Sequence, residues 1–317
     1  MNQRKLLLSS VLLLVLAALL PLVLADYGTR LLNAALVAAV AVLGLNFVFG
    51  YAGLISLGHA AFVGVGAYTV ALLTTAIGVN SWVAVPCAVV LSALSAFVTG
   101  WILLRIKGHY LALATLGLNV SFTIVASNWM ALTGGSNGVA GIPTLSLAGI
   151  ELGDERRFYW FALAVLALLT WLAARIRGSY AGRAMVAVRD DEIATAMSGL
   201  AIARVKVAAF TLGGAYAGVA GCLFAFHMKF VSPDDFNFSH SITYLSMLIV
   251  GGEGTLLGSI LGAVGVTLLP EVLRGLGNAY LLVFGLLVLL VLAVLPNGLA
   301  GLLARWRAPV GAQGAKP

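Results

Sequence analysis

Long apolar runs, separated by short polar breaks, occupy nearly the whole chain. They cover 6–25, 31–49, 55–78, 82–104, 109–131, 158–174, 207–230, 240–252, 256–272 and 279–295. About 20 apolar residues in helical form cross the ~30 Å hydrocarbon layer of a bilayer. The pattern therefore predicts an all-α polytopic membrane protein with about 8–10 transmembrane helices. A transmembrane β-barrel would instead show short alternating strands. The run 240–252 is too short to cross alone. It ends in Gly251-Gly252-Glu253-Gly254 and leads into 256–272, so this pair predicts a broken or re-entrant hairpin. Backbone off the helical ladder is tolerated at that depth only where protein or a wet cavity meets its polar groups. The whole of 1–317 reads as a single transmembrane domain.

Composition agrees with the pattern. Hydrophobic residues make up 62% of the 317 and charged residues 9%, too apolar a chain for one water-soluble core, which leaves lipid as the remaining solvent. The net charge of +7 does not point to nucleic acid, because basic residues flanking spans are what the positive-inside rule requires. With the N-terminus in the cytoplasm, Arg4, Lys5, Arg105, Lys107, the basic residues of 175–206, Arg305, Arg307 and Lys316 fall inside. Arg30, Arg156, Arg157, Lys229 and Arg274 fall outside. The excess inside places both termini in the cytoplasm, with 304–317 a flexible cytoplasmic tail. Arg4 and Lys5 precede an apolar run too long for a signal-peptide core, so 6–25 reads as a retained first span. Cys87 and Cys222 sit in apolar runs and read as packing residues.

The polar residues inside the runs are few. His59 lies in the small-residue segment Gly50–Tyr68, beside Ser56; Asn46 and Asn119 lie in neighbouring spans. An ionisable or amide group at such depth needs a protein partner or a polar path. These four are the candidates for a substrate path, with structural hydrogen bonding as the competing role. Gly254, Gly258 and Gly262 repeat at four-residue spacing, and Gly214 and Gly218 do the same in 207–230, as tight helix–helix contacts would require. The four histidines lack metal-ligand spacing, and no phosphate-binding GxxxxGK[ST] motif occurs. No metal, cofactor or catalytic residue is expected in this chain, and any energy source lies outside it.

The charges collect in one loop, 175–206. Asp190-Asp191-Glu192 suits the start of a helix, and Gly199 suits its end. Ile193, Met197 and Leu200 form an apolar stripe at helical spacing. Arg183 and Arg189 precede them. A mixed, locally acidic polar face favours a protein partner over a lipid surface.

These residues resemble a known family, the permease subunits of branched-chain amino acid importers of the ABC class, LivM type. The likeness runs from about residue 40 to 303. It is carried by Gly53-Leu-Ile-Ser-Leu-Gly-His-Ala-Ala-Phe62, Gly108-His-Tyr-Leu-Ala-Leu-Ala-Thr-Leu116, Leu132-Thr-Gly-Gly-Ser-Asn-Gly138, Gly182-Arg-Ala-Met-Val-Ala-Val-Arg-Asp-Asp-Glu192, Ser232-Pro-Asp-Asp-Phe236, Gly251-Gly-Glu-Gly254 and Pro296-Asn-Gly-Leu299. The resemblance implies a prokaryotic inner-membrane permease that pairs with a LivH-type permease. It also implies two cytoplasmic ATP-binding subunits, which hold the ATP and Mg, and a periplasmic or lipid-anchored substrate-binding protein. Urea, short amides and aromatic acids are alternative substrates within the same architecture; a passive channel is an alternative outside it. Within the loop, 183–204 takes the place of the importer coupling motif, Glu-Ala-Ala-x-x-x-Gly with a later Ile-x-Leu-Pro. Here Glu192-Ile-Ala-Thr-Ala-Met-Ser-Gly199 sets the glycine one residue late, and Leu-Pro is absent.

Gly199→Pro, or reversal of Asp190, Asp191 and Glu192 to lysine, is expected to lower uptake by about tenfold or more, with insertion unchanged. Radiolabelled uptake, set against abundance in the membrane fraction, measures this.

Overall fold

The computed structural model describes residues 24–104, 106, 108–147 and 150–274, together with 20, 21, 285, 286, 289 and 298–301. Most of the runs 6–25 and 279–295, Arg105, Lys107 and the tail 304–317 lie outside the described residues.

Helix α1 (Asp26–Leu45) continues through a π-helical turn, Asn46–Tyr51. An extended stretch, 52–58, leads to α2 (His59–Thr75). Then follow α3 (Ser81–Leu103), α4 (His109–Asn128) and the single turn α5 (Met130–Thr133). A loop holding β1 (Val139–Ala140), β2 (Ser146–Leu147) and β3 (Ile150–Glu151) precedes α6 (Glu155–Gly178). Two short helices, α7 (Tyr180–Asp190) and α8 (Glu192–Met197), lead to the long α9 (Ile202–Met228). Strand β4 (Phe230–Val231), a 3-10 turn (Pro233–Phe236), α10 (Phe238–Gly251) and α11 (Leu256–Leu273) complete the described fold. The strands form two antiparallel pairs, β1 with β4 and β2 with β3.

Polar residues in the breaks set the helix starts. Asn80, Ser179, Asp191, Asn237 and Thr255 each accept a backbone N–H of the following first turn, meeting donors that have no partner within the helix. Six helices among the described residues are long and apolar enough to cross a membrane. α2, with 17 residues, and α10, with 14, are shorter, about 26 and 21 Å at 1.5 Å per residue.

The core forms around α9. Gly213 and Gly214 are buried on it, facing α1 and α3: a Cβ on Gly213 would lie 3.0 Å from the Gly44 carbonyl, and one on Gly214 would lie 2.3 Å from the Ala96 Cβ. Further along, a Cβ on Gly218 would lie 2.8 Å from the Ser92 Cβ, and one on Gly221 would lie 2.1 Å from the Val63 carbonyl of α2. Only hydrogen at these positions allows such close packing. The hydroxyl of Ser92 lies at the junction, 2.8 Å from the carbonyls of both Phe62 and Gly214, which share its single proton.

Ionic residues separate to two ends. One end holds Asp26 near Arg156 at 3.8 Å, Tyr27 donating to Glu271 at 2.8 Å, and Asn33 donating to Glu155 at 2.8 Å. The other holds Arg189, Glu192, Lys206 and the 252–255 turn. This is the same partition that the Lys/Arg count predicts from sequence.

Several expected boundaries move. The run 55–78 becomes helical only at His59, because Gly53 takes φ +68° and the chain runs extended to Gly58. The loop expected over 175–206 is narrower. α6 carries Arg175 and Arg177 in its last turn, and α9 begins at Ile202. Cations at a helix C-terminus are favoured by its dipole, and long basic side chains reach water from within a span. Gly254 is not on a helix face: it lies in the turn before α11 with φ +71°. The α10–α11 approach instead sets Gly251 against Gly258 and Gly262; a Cβ on Gly251 would lie 2.0 Å from the Gly258 carbonyl.

Gly214→Ile is expected to destabilise the protein by about 1–3 kcal/mol, since the backbones must part to admit the side chain. Gly117→Ala, with nothing within 4 Å of the new Cβ, is expected to raise stability by under about 1 kcal/mol. Thermal unfolding of purified protein in detergent distinguishes the two.

Candidate functional site

Two interruptions of helix meet within the bundle. The extended stretch 52–58 ends at the N-terminus of α2, and the segment 230–237 ends at the N-terminus of α10. The backbone N–H of Ala60 donates to the Ser241 hydroxyl at 3.0 Å, so the first turns of α2 and α10 touch. Their freed backbone groups are met by side chains. The Leu57 N–H donates to Thr115 Oγ1 at 3.0 Å, and Asn119 Nδ2 donates to the Phe236 carbonyl at 3.2 Å. His59 is buried, with Nε2 at 2.9 Å from the Ala41 carbonyl. A carbonyl only accepts, so Nε2 carries the proton. Tyr244 meets the His59 ring edge-on at 6.3 Å.

Around these groups the surroundings are aromatic. Phe236 packs against Phe224 at 5.3 Å and Tyr68 at 6.3 Å, and Tyr68 meets Phe122 at 6.3 Å. Asn119 Oδ1 and the Tyr68 hydroxyl are buried with no hydrogen-bond partner among the described residues. Asp235, in the 3-10 turn, accepts from the Ser232 N–H at 2.9 Å, and its burial holds the carboxyl above the usual carboxylate range. The seam is thus mostly apolar with a few convergent polar groups. It is closed: Ser56, His59 and Asn119 are all buried.

A second cluster lies at the end that carries α7 and α8. Asp191 accepts from the N–H groups of Ile193 and Ala194 at 2.8 and 3.0 Å, starting α8. The Thr195 hydroxyl donates back to the Ala187 carbonyl at 2.8 Å, tying α8 onto α7. Glu192 pairs with Lys206 in the first turns of α9, where Lys206 is nearly enclosed. The Arg183 guanidinium donates to the Gly178 carbonyl at 2.7 Å. Ile193 and Met197 are left 74% and 85% exposed, an uncovered apolar edge. Gly199 follows with φ +80°, the left-handed geometry that ends the helix.

Residues 28–293 match the family described as branched-chain amino acid transport system, permease component. The chain belongs to this family. It is similar to the high-affinity branched-chain amino acid transport system permease protein LivM of Salmonella typhimurium, 36% identical over 81% of this chain and 66% of that protein. The chain therefore spans just under two thirds of the length of that relative. It is also similar to the LivH permease protein of Escherichia coli K12, 27% identical over 83% of this chain and 91% of LivH. The autoinducer 2 import system permease protein LsrC of Klebsiella pneumoniae is 30% identical over 54% of this chain and 48% of LsrC. No solved structure matches the chain.

The structure brings Ser56, His59 and Asn119 to the seam. It does not bring Asn46 there. Asn46 lies in the π-turn at the α7–α8 end, accepting from the Gly254 N–H at 2.9 Å. Ser241, Thr115, Tyr68 and Asp235 were not among the path candidates, although Thr115 and Asp235 lie in stretches that carry the family resemblance. A serine or threonine in an apolar helix gives little signal, because its hydroxyl usually bonds back to its own helix. The Ser232-Pro233-Asp234-Asp235 cap was the available clue to the seam, since it stops a helix before α10.

Lys206→Ala removes the partner of Glu192, and α8 is expected to open more often. Amide exchange at 192–197 should accelerate by about threefold or more relative to α9, measured by hydrogen–deuterium exchange in detergent.

Proposed function

We propose that this chain is a permease subunit of an ATP-driven ABC importer that moves branched-chain amino acids across the cytoplasmic membrane of a prokaryote. The family match over residues 28–293, on a bundle whose two short helices begin at a shared polar seam, is the observation that carries this reading. Both termini face the cytoplasm, as the distribution of Lys and Arg favours. A LivH-type permease supplies the other half of the path. Two cytoplasmic subunits bind and hydrolyse ATP with Mg, and a periplasmic or lipid-anchored binding protein delivers substrate. This chain is not itself an enzyme.

The seam is the reading's substrate path. Phe122, Phe236 and Tyr68 suit an apolar side chain, while Ser56, His59, Asn119 and Ser241 offer hydrogen bonds to its polar head. The exposed edge of α8, Ile193 and Met197, is the docking surface for an ATP-binding subunit. An exposed apolar edge on a capped helix fits a groove in a partner. The likeness to LsrC supports a second reading within the same architecture, in which the solute is another small polar molecule.

The decisive test is reconstitution. The complex copurified with a tagged copy of this chain is expected to accumulate leucine, isoleucine or valine in proteoliposomes, given ATP and the binding protein. The chain alone is expected to pass none. Solute flux through the isolated chain would overturn the reading in favour of a passive channel.

A further inference from the structure

Resting on that reading, we propose that Arg189 is a positioning residue that carries displacement of α7 and α8 to the mouth formed by the π-turn and the 252–255 turn. Its side chain is 34% exposed, with Nη1 turned toward the π-turn. Arg189 Nη1 donates to the Gly50 carbonyl at 2.6 Å. Gly50 lies in the last turn of its span, where the carbonyls of Phe47, Val48 and Phe49 accept the N–H groups of 52–54. Arg189 supplies the Gly50 carbonyl with a partner from a different element.

Three backbones converge at this point. A Cβ on Gly50 would lie 2.6 Å from the Gly254 nitrogen, and one on Gly254 would lie 3.4 Å from the Gly50 carbonyl and 3.2 Å from Arg189 Nη1. A Cβ on Gly53 would lie 2.8 Å from Arg189 Cγ. Asn46 closes the junction, accepting from the Gly254 N–H at 2.9 Å. Asp190 orients the guanidinium from below at 3.2 Å. Arg177, from α6, lies over the Tyr51 ring at 5.8 Å and braces the same turn.

The chain of contacts is continuous. α8 is tied to α7 through Asp191 and Thr195, and α7 carries Arg189 in its last turn. Arg189 grips the π-turn, and the π-turn holds the start of α11 through Asn46. One side of this junction leads directly along 52–58 to the seam. A π-turn is an interrupted ladder whose bonds can be exchanged at small cost, and such turns recur at functional sites. A displacement of α8 thus reaches the π-turn that follows α1. This is a physical path with a named switchable element, as coupling between sites requires.

The test uses the full complex in proteoliposomes, with ATP hydrolysis and amino-acid uptake read side by side. Arg189→Gln is expected to leave insertion, assembly and hydrolysis within about twofold of wild type and to lower uptake by about tenfold or more. Unchanged uptake would overturn the proposal. So would a parallel fall of uptake and hydrolysis in an assembled complex, which would make Arg189 a brace only. Should Arg189→Gln fail to assemble, Arg189→Lys, which keeps a cationic donor, is read by the same two assays: near-normal hydrolysis with reduced uptake supports the proposal, and normal uptake with a single flexible amine in place of the fork overturns it. A wild-type complex that transports no amino acid defeats the functional reading instead, and the Arg189 comparison separates the two failures.

Discussion

The glycine face of α9 is the constraint on which the remaining packing depends. Within lipid the hydrophobic effect gives helices no reason to prefer one another, so close contact of backbones must supply the association. Gly213, Gly214, Gly218 and Gly221 let α1, α2 and α3 approach α9 until only hydrogen fits between them. The Ser92 hydroxyl then shares its single proton between two carbonyls across the junction. With α9 held on three sides, α1 and α2 are fixed well enough for the chain between them to leave the helical ladder. A looser centre would leave those unwound groups facing lipid.

The interruptions obey a second rule: buried backbone without a partner is costly, so each break is met by a side chain from another element. Thr115 answers Leu57, Ser241 answers Ala60, Asn119 answers Phe236, Asn46 answers Gly254 and Arg189 answers Gly50. The polar residues inside the apolar runs are therefore concentrated where the backbone is irregular. Their hydrogen bonds hold the breaks closed. The same bonds mark where the bundle can open, since water or a polar solute head can take the side chain's place at modest cost.

Much of the architecture was legible in the sequence because lipid imposes a single pattern. Apolar runs of helical length give spans, and the acids Asp190-Asp191-Glu192 pointed to the start of α8, which Asp191 caps. The short run ending at Gly251 pointed to a hairpin with 256–272, and the α10–α11 pair has that form. The sites were legible in part. His59, Ser56 and Asn119 stand out as polar groups in apolar surroundings, and the structure gathers them. Asn46 stood out equally, yet faces the 252–255 turn, because sequence gives the depth of a residue and not the side of the helix on which it lies. Gly254 misled for a related reason. Four-residue spacing marks a helix face only if the helix includes every member, and the left-handed φ at Gly254 ends that condition. The partners of Ser241 and Thr115 were not legible, since what they bond is set by tertiary contact.

These two kinds of junction divide the molecule mechanically. Around α9, separating helices would open gaps lined by backbone that no side chain can fill, at a cost that rises with every glycine lost from contact. At the seam and at the Arg189 junction, the contacts are single hydrogen bonds between elements, each worth about 0.5–1.5 kcal/mol net and replaceable by water. Any rearrangement of modest energy will leave α9 and its three neighbours together and work through the breaks. α2, α10 and α11 are the helices that begin or end at these breaks. His59, Asn119 and Ser241 lie at those joints, whereas Ser92 belongs to the glycine-lined centre.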